Sequence, residues 1–519
     1  MARARAGQNV RPTTWFAATP LAARMIIAAL TGGVGGFAQA PYGLPLILVM
    51  CAALAFFMFG QTRTPRAAAA LGWAFGAGYF AHTLFWIVEP FQVDSARHGW
   101  MAPFALAFMA GGLALFWSVA FWGARKLSAR TWPLVFAWAA AELGRAYLFT
   151  GFPWAGVSQI VVDGMAARIL AWAGPHGTTL WLFSIAWALS LRAGRHRQVM
   201  RVAQIVLLLA VGVGLQAPTT APPAGLTEHT VRLVQPNAPQ HLKWQPDMAL
   251  LYYQRQLTFT EAAPAEGKPR PDLVVWPETA VPWRLGQADS ILEQIASVAG
   301  GTPVVLGILR VEEAQLRNAM VLTNNAGAPS AIYDKHHLVP FGEYLPFAQL
   351  ARRFGLRGLV EARGAGFAPG SGAAIMDFGV IGQGVPLICY EAVFAHDVNR
   401  APGRADFILQ ITNDAWFGDW AGPQQHLAQA RMRAIEQGLP MMRAANTGIS
   451  AMIDPYGRVT ASLELGIAGF VDARLPQPLG PTLYNRVGDF PVLLLLLAGF
   501  GVAAMKSRAN VSAGHVRYK

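Results

Sequence analysis

At 519 residues, with 54% hydrophobic and only 13% charged side chains and a mean hydropathy of +0.34, the chain is not an ordinary soluble protein. A net charge of +13 suggests nucleic acid at first sight, yet residues 218–487 hold 21 Lys/Arg against 23 Asp/Glu, so the basic excess lies wholly in the apolar remainder. There a membrane-topology signal explains it and a nucleic-acid footprint does not.

Taken in chain order, apolar runs occupy residues 21–37, 43–60, 67–88, 99–124, 131–149, 169–191 and 202–217, with an eighth at 490–505. About 20 helical residues cross a hydrocarbon core of roughly 30 Å, so these runs predict a polytopic helical bundle of eight spans. Three of the first seven are less clean: the first carries Arg24, the fifth contains Glu142 and Arg145, and the seventh is short. The first run has no small-residue cleavage site behind it and reads as an uncleaved anchor. Glu142 and Arg145 stand three apart on one helix, where they satisfy each other at depth rather than serve catalysis. The aromatic loop that follows, LFTGFPWAG at 148–156, suits an interface belt or the lining of a lipid route.

The positive-inside rule fixes the orientation. With the N-terminus in the cytoplasm, sixteen Lys/Arg fall inside, in clusters at 3–11, 63–66, 125–130, 192–201 and 506–519, against Arg97 and Arg168 outside. Residues 218–487 are then extracytoplasmic and both termini cytoplasmic. The expected division is a seven-span domain at 1–217, an extracytoplasmic domain at 218–487, and a last helix with its tail at 488–519.

The long segment opens with a Pro/Thr-rich linker and changes character. Short apolar runs at 230–234, 273–276, 303–309, 319–323, 385–389 and 407–412 alternate with helical stretches at 247–261, 289–299 and 426–437. This pattern predicts an α/β domain with a buried sheet. Three segments place reactive groups where predicted strands end. WPET carries Glu278, although Thr279 equally suits a helix start. YDKHHLVPFGEYLP carries Lys335 and Glu343, and ICYEAVF carries Cys389, Tyr390 and Glu391. A thiolate nucleophile, a carboxylate that takes its proton and an ammonium beside the oxyanion make a coherent acyl-transfer set. Taken singly, each has a blander reading: Cys389 as a small core residue, Lys335 as a surface cation, Glu343 in a salt bridge to an Arg. His336 and His337 do not make a metal site: neighbours on a strand point to opposite faces, and no partner stands at ligand spacing. Cys51 and Cys389 are too far apart in character and sequence for a disulfide scaffold.

Together the segments resemble the nitrilase superfamily, with its catalytic Glu, Lys and Cys in this chain order. With the apolar runs included, the chain resembles the apolipoprotein N-acyltransferase family over nearly its whole length. QPNAPQHLKW at 235–244, NDAWFGD at 413–419 and RAANTGISAMIDPYG at 443–457 add to the likeness. The resemblance implies a nitrilase-like α-β-β-α sandwich on a membrane bundle, with Glu278 as base, Lys335 at the oxyanion and Cys389 as nucleophile. It makes Glu343 a second glutamate by the lysine, Tyr390 and Glu391 flanking groups that shape the site, and Trp244 a residue of a mobile arm. It implies transfer of an acyl chain from a phospholipid, phosphatidylethanolamine in the family, to the N-terminal diacylglyceryl-cysteine of an apolipoprotein at the bacterial inner membrane. No metal or organic cofactor is called for. Residues 347–359 alternate apolar groups with arginines and suit a lid on the outer leaflet. The rival readings are a tethered amidase acting on small substrates and a transporter with an external binding domain; against the latter, the spans show no inverted repeat.

Overall fold

The structure is a computed structural model and describes residues 15–191, 197–264, 269–346, 353 and 366–516. The basic clusters at 3–11 and 192–196, the last three residues and the expected lid at 347–359, Arg353 apart, lie outside the described residues.

Each of the first seven apolar runs forms a helix: α1 (Leu21–Gly35), α2 (Pro45–Gly60), α3 (Pro65–Thr83), α4 (Ala102–Leu127), α5 (Pro133–Tyr147), α6 (Arg168–Ser190) and α7 (Arg197–Gln216). Proline opens α2, α3 and α5, where its missing N–H costs no hydrogen bond. Leu21–Ala38, Ser95–Leu127 and Gln198–Gln216 are long and apolar enough to cross a membrane; the bent pair Pro65–Thr83 and Phe85–Phe91 makes a fourth if it is one span. Helices α1 and α3 touch backbone to backbone, because a Cβ on Gly32 or Gly78 would stand 1.9 Å from a carbonyl oxygen of the other helix.

The two ends of the bundle differ. At one end Arg125 donates to Phe59 O (2.6 Å), Ala129 O (2.7 Å) and Thr62 Oγ1 (3.1 Å). Lys506 lies over the Trp132 ring at the same end of α5. The opposite end carries the α/β domain, held where Trp154 Nε1 donates to Gln425 Oε1 at 2.8 Å.

That domain has two six-stranded sheets. The first runs β12 (Gly469–Pro476), β1 (Leu226–Gln235), β2 (Leu273–Val275), β3 (Val304–Glu312), β4 (Gln315–Thr323), β5 (Pro329–Asp334). The second runs β11 (Val459–Leu463), β10 (Ser450–Ile453), β9 (Met441–Ala445), β8 (Phe407–Thr412), β7 (Gln383–Ile388), β6 (Met376–Asp377). Alternation along the strands builds two cores at once. Val231, Leu233, Val275 and Val305 meet Phe407, Leu409 and Met442 between the sheets. Val234, Val304 and Leu306 turn the other way, onto α8 (Pro246–Glu261) and α9 (Asp289–Val298). Ile408 and Met441 likewise face α10 (Gly422–Gln437). The result is the four-layer helix–sheet–sheet–helix order that the resemblance implied. Helix α10 also packs Ala428, Met432 and Ile435 against the bundle, so it is covered on both sides. The chain then returns to the bundle in α11 (Phe490–Val516).

Three local expectations are corrected. Strand β7 stops at Ile388, and Cys389 opens a short 3-10 turn with φ +53°, a left-handed value that no strand can continue. Thr279 starts no helix; it too is left-handed, at φ +47°. His336 and His337 lie past the end of β5, so strand alternation does not govern them, and both rings reach Asp397.

Candidate active site

Glu278, Lys335 and Cys389 come from three different segments and are all buried. Glu278 follows β2 after Trp276 and Pro277. Its Oε1 accepts from Asn318 Nδ2 (2.7 Å) and Lys335 Nζ (3.4 Å), and its Oε2 from Asn413 N (2.9 Å). Lys335, immediately after β5, is 1% exposed. Its ammonium also donates to Glu343 Oε1 at 2.8 Å, while Glu343 Oε2 caps Val339 N at 2.8 Å. Burial alone would lower the lysine pKa, but the Glu343 and then the Glu278 carboxylate hold it well above its ordinary value. The expected alternative for Glu343, an arginine partner, gives way to the active-site lysine.

Cys389 occupies a strained position at the mouth of its turn. Burial and then the Glu278 charge push its thiol up, and the Lys335 ammonium opposes them without prevailing. The resting group is therefore a neutral thiol, which would need a base to act as a nucleophile. Its carbonyl accepts from Gln410 Nε2 at 3.0 Å; the same amide donates to His426 Nε2 at 3.2 Å. His426 Nδ1 then donates to Asp414 Oδ1 at 2.9 Å, which orients the ring; burial lowers its pKa and the Asp414 charge opposes that. Arg443 also pairs with Asp414 and, against the effect of burial, helps hold that carboxyl down at about 2.

Glu391 is fully buried. Its Oε1 accepts from Tyr333 OH (2.9 Å), His336 N (2.8 Å) and His337 N (3.2 Å), and its Oε2 from Ile388 N (2.7 Å). One carboxylate thus ties the lysine loop to the nucleophile turn. Tyr390 OH donates to Gly151 O at 3.3 Å, joining the same turn to the aromatic loop of the bundle. Trp244 is 43% exposed and lines a small cleft with Lys243, Pro277 and Thr279. Its stretch of chain is pinned where Ala238 and Asn446 exchange hydrogen bonds (3.0 and 2.8 Å) and where Asn413 Nδ2 donates to Gln240 Oε1 (2.7 Å).

Several contributors escape a reading of the sequence. Asn318 stands one residue before the run read as a strand at 319–323. Asn413, Asp414, Arg443 and Asn446 belong to motifs that carried the resemblance without assigned roles. Lys243 stands next to Trp244, and nothing in the spacing distinguishes it from a surface lysine.

A sheet sandwich with a buried thiol, ammonium and carboxylate at its strand ends is of the carbon–nitrogen hydrolase class, and residues 230–479 match the family described as carbon-nitrogen hydrolase. Residues 31–188 match the apolipoprotein N-acyltransferase N-terminal domain. The chain is 37% identical to the apolipoprotein N-acyltransferase of Brucella melitensis over 89% of its own length and 90% of that protein. It is 34% identical to the one from Rhodopseudomonas palustris over 93% and 95%, respectively. The chain belongs to the apolipoprotein N-acyltransferase family and is an acyltransferase built on a carbon–nitrogen hydrolase domain.

Proposed function

We propose that the protein transfers a fatty acyl chain from a phospholipid to the α-amine of an apolipoprotein's N-terminal diacylglyceryl-cysteine, through a thioester on Cys389. The observation that carries this reading is a strained, buried Cys389 next to an ammonium shared by Glu278 and Glu343, in a domain seated on the end of an apolar helical bundle. In the first half-reaction Glu278 takes the Sγ proton as sulfur bonds to the ester carbonyl carbon. Lys335 balances the charge that develops on the carbonyl oxygen. Collapse breaks the C–O bond, Glu278 returns the proton to the leaving alkoxide, and lysophospholipid departs. In the second half-reaction the acceptor amine attacks the thioester carbon and the C–S bond breaks; the amine's proton passes through Glu278 to sulfur, leaving an amide.

The donor class is phosphatidylethanolamine, as in the resemblance. The site needs no metal and no organic cofactor for these steps. Glu343 anchors Lys335, Glu391 and Tyr390 position the nucleophile turn, and Trp244 belongs to the arm over the cleft. The topology is eight spans in the inner membrane of a bacterium, divided at 1–217, 218–487 and 488–519, with the catalytic domain periplasmic and both termini cytoplasmic. The gathering of Arg125 and Lys506 at the bundle end away from the α/β domain supports that orientation.

The test is to incubate the protein with phosphatidylethanolamine and no acceptor, then measure the mass of the Cys389 peptide. An acyl adduct together with released lysophospholipid is expected. Lysophospholipid that appears only once an acceptor is added would overturn the two-step reading. For topology, a membrane-impermeant thiol reagent should label Cys placed at exposed Glu313 in intact spheroplasts, and Cys at exposed Arg130 only after lysis. The reverse pattern inverts the orientation.

A further inference from the structure

Lys243 has a buried ammonium, and among the described residues no carboxylate stands within ion-pairing distance of it. Its Nζ donates instead to the carbonyl oxygen of Glu278 (3.1 Å) and to Thr279 Oγ1 (2.8 Å). Both acceptors belong to one turn, and that turn is under strain. Thr279 is β-branched yet holds φ +47°, a combination that persists only where its surroundings enforce it. On the other side the turn presses on β3: Ala280 N and Val281 N donate to Gly307 O (2.8 and 3.3 Å). Residue 307 has to be glycine there, since a Cβ would lie 2.4 Å from Thr279 N and 2.6 Å from Glu278 Cα.

The direction of the Glu278 side chain leaves its Cα, and the turn sets that direction. We propose that Lys243 is a positioning residue for Glu278: it clamps the strained 278–279 turn from the segment that carries Trp244, so that alignment of the base depends on that clamp. The arm grips Glu278 at both ends. Lys243 holds the main-chain carbonyl, while Gln240 holds Asn413, whose backbone N–H donates to the Glu278 carboxylate. Losing either hold therefore loosens the base and slows deprotonation of Cys389.

The clamp is also a charge. Burial pulls the Lys243 ammonium down to about 8, opposed by Glu278 and then Cys389, the titratable groups that face it from the β2 turn and the nucleophile turn. Elsewhere around it the cleft presents Tyr252 and neutral Gln256 from α8, and neutral Asn446. A lowered lysine pKa means that the charge is present below about 8 and lost above it. Thioester formation should accordingly decline as pH rises through that value.

The inference rests on Glu278 acting as the base. Its test is single-turnover thioester formation against pH, using the full-length protein and phosphatidylethanolamine. Lys243→Met should slow the step at pH 7 by about 10- to 100-fold, the scale of losing alignment by around 1 Å. The phospholipid KM should not change, and the decline near pH 8 should vanish. Lys243→Arg offers donors for both acceptors and a charge that does not titrate. It should return to within about fivefold of the unaltered protein, again without that decline. A Lys243→Met protein at full rate, one that changes KM alone, or a decline near pH 8 that survives either substitution overturns the proposal. If Lys243→Met fails to fold, the pH profile of Lys243→Arg decides alone. Glu278→Gln runs alongside: if it still forms thioester at full rate, the base assignment falls, an outcome separable from any result at Lys243.

Discussion

Two buried glutamate–cation pairs, one in the bundle and one in the α/β domain, look alike in sequence and differ in what they leave over. Glu142 receives Arg145 Nη2 (2.8 Å) and Nε (3.1 Å) and also Trp117 Nε1 (2.8 Å); Arg145 spends Nη1 on Phe152 O and Trp154 O. One charge cancels one charge, and every strong donor has an acceptor. Around Lys335 a single ammonium faces two carboxylates and a thiol, so one negative charge is left over until Glu278 takes up a proton. A closed pair holds structure together; an open one is available for chemistry. The two buried cysteines repeat the contrast, because Cys51 lies in a regular helix and Cys389 at a left-handed turn beside that open cluster.

The sharpest break of this comparison is Cys389→Ser. A hydroxyl in a site arranged for a thiol is so poor a nucleophile that acyl-enzyme should drop by roughly three orders of magnitude or more, with the fold kept. Thermal unfolding and intact-protein mass together check both halves. Acylation near the original rate would remove Cys389 from the mechanism. Next in size is Glu278→Gln, nearly isosteric but unable to take the proton. It should slow thioester formation by about 10²- to 10⁴-fold. An unchanged rate would pass the role of base to Glu343 or Glu391.

Much of this architecture is legible in the amino-acid sequence. Uncharged runs mark helices because a membrane core tolerates little else, and the eight runs are eight helices. The gathering of Glu278, Lys335 and Cys389 is legible through their motifs, and Glu142–Arg145 through its spacing. What stays hidden depends on contacts distant in sequence. Helix α10 carries Gln425, His426, Gln429, Arg433 and Glu436, which reads as a solvated face, yet 13 of its 16 residues are buried. The reason is that one side meets β8 and β9 and the other meets the bundle. Glu391 looks like a companion of the nucleophile, whereas its carboxylate spends its bonds on residues 333, 336, 337 and 388. Backbone strain at Cys389 and Thr279 leaves no trace in composition, and Lys243 has meaning only once the arm is laid across Glu278.

The closed pair predicts the opposite of the open one. Glu142→Gln leaves Arg145 charged and buried without its counter-charge, so stability should fall by about 3–5 kcal/mol, the usual cost of breaking a buried pair from one side. Turnover per folded molecule should stay within about twofold, since none of the bonds made by this pair reaches Glu278, Lys335 or Cys389. The readouts are the unfolding midpoint in detergent and the rate normalised to folded protein. Turnover lost at unchanged stability would mean that the bundle pair takes part in the chemistry, and the distinction between closed and open pairs would not hold.

The smallest effect belongs to Cys51→Ser. Cys51 is buried in α2, where helix geometry is regular and the neighbours are Leu48, Ala52 and Ala55, with no ammonium or base beside it among the described residues. Serine there trades a weakly polar sulfur for a hydroxyl, and that hydroxyl can donate back to the carbonyl four residues earlier, so the cost should be about 1 kcal/mol or less. The rate of thioester formation should not move, nor should its stoichiometry of one acyl group per chain. Burial alone would make both cysteines equally inert or equally reactive. Only the local charge and strain separate them, so the variant isolates those two factors. If Cys51→Ser removed the acyl adduct while Cys389→Ser kept it, sulfur position and not the open cluster would decide reactivity.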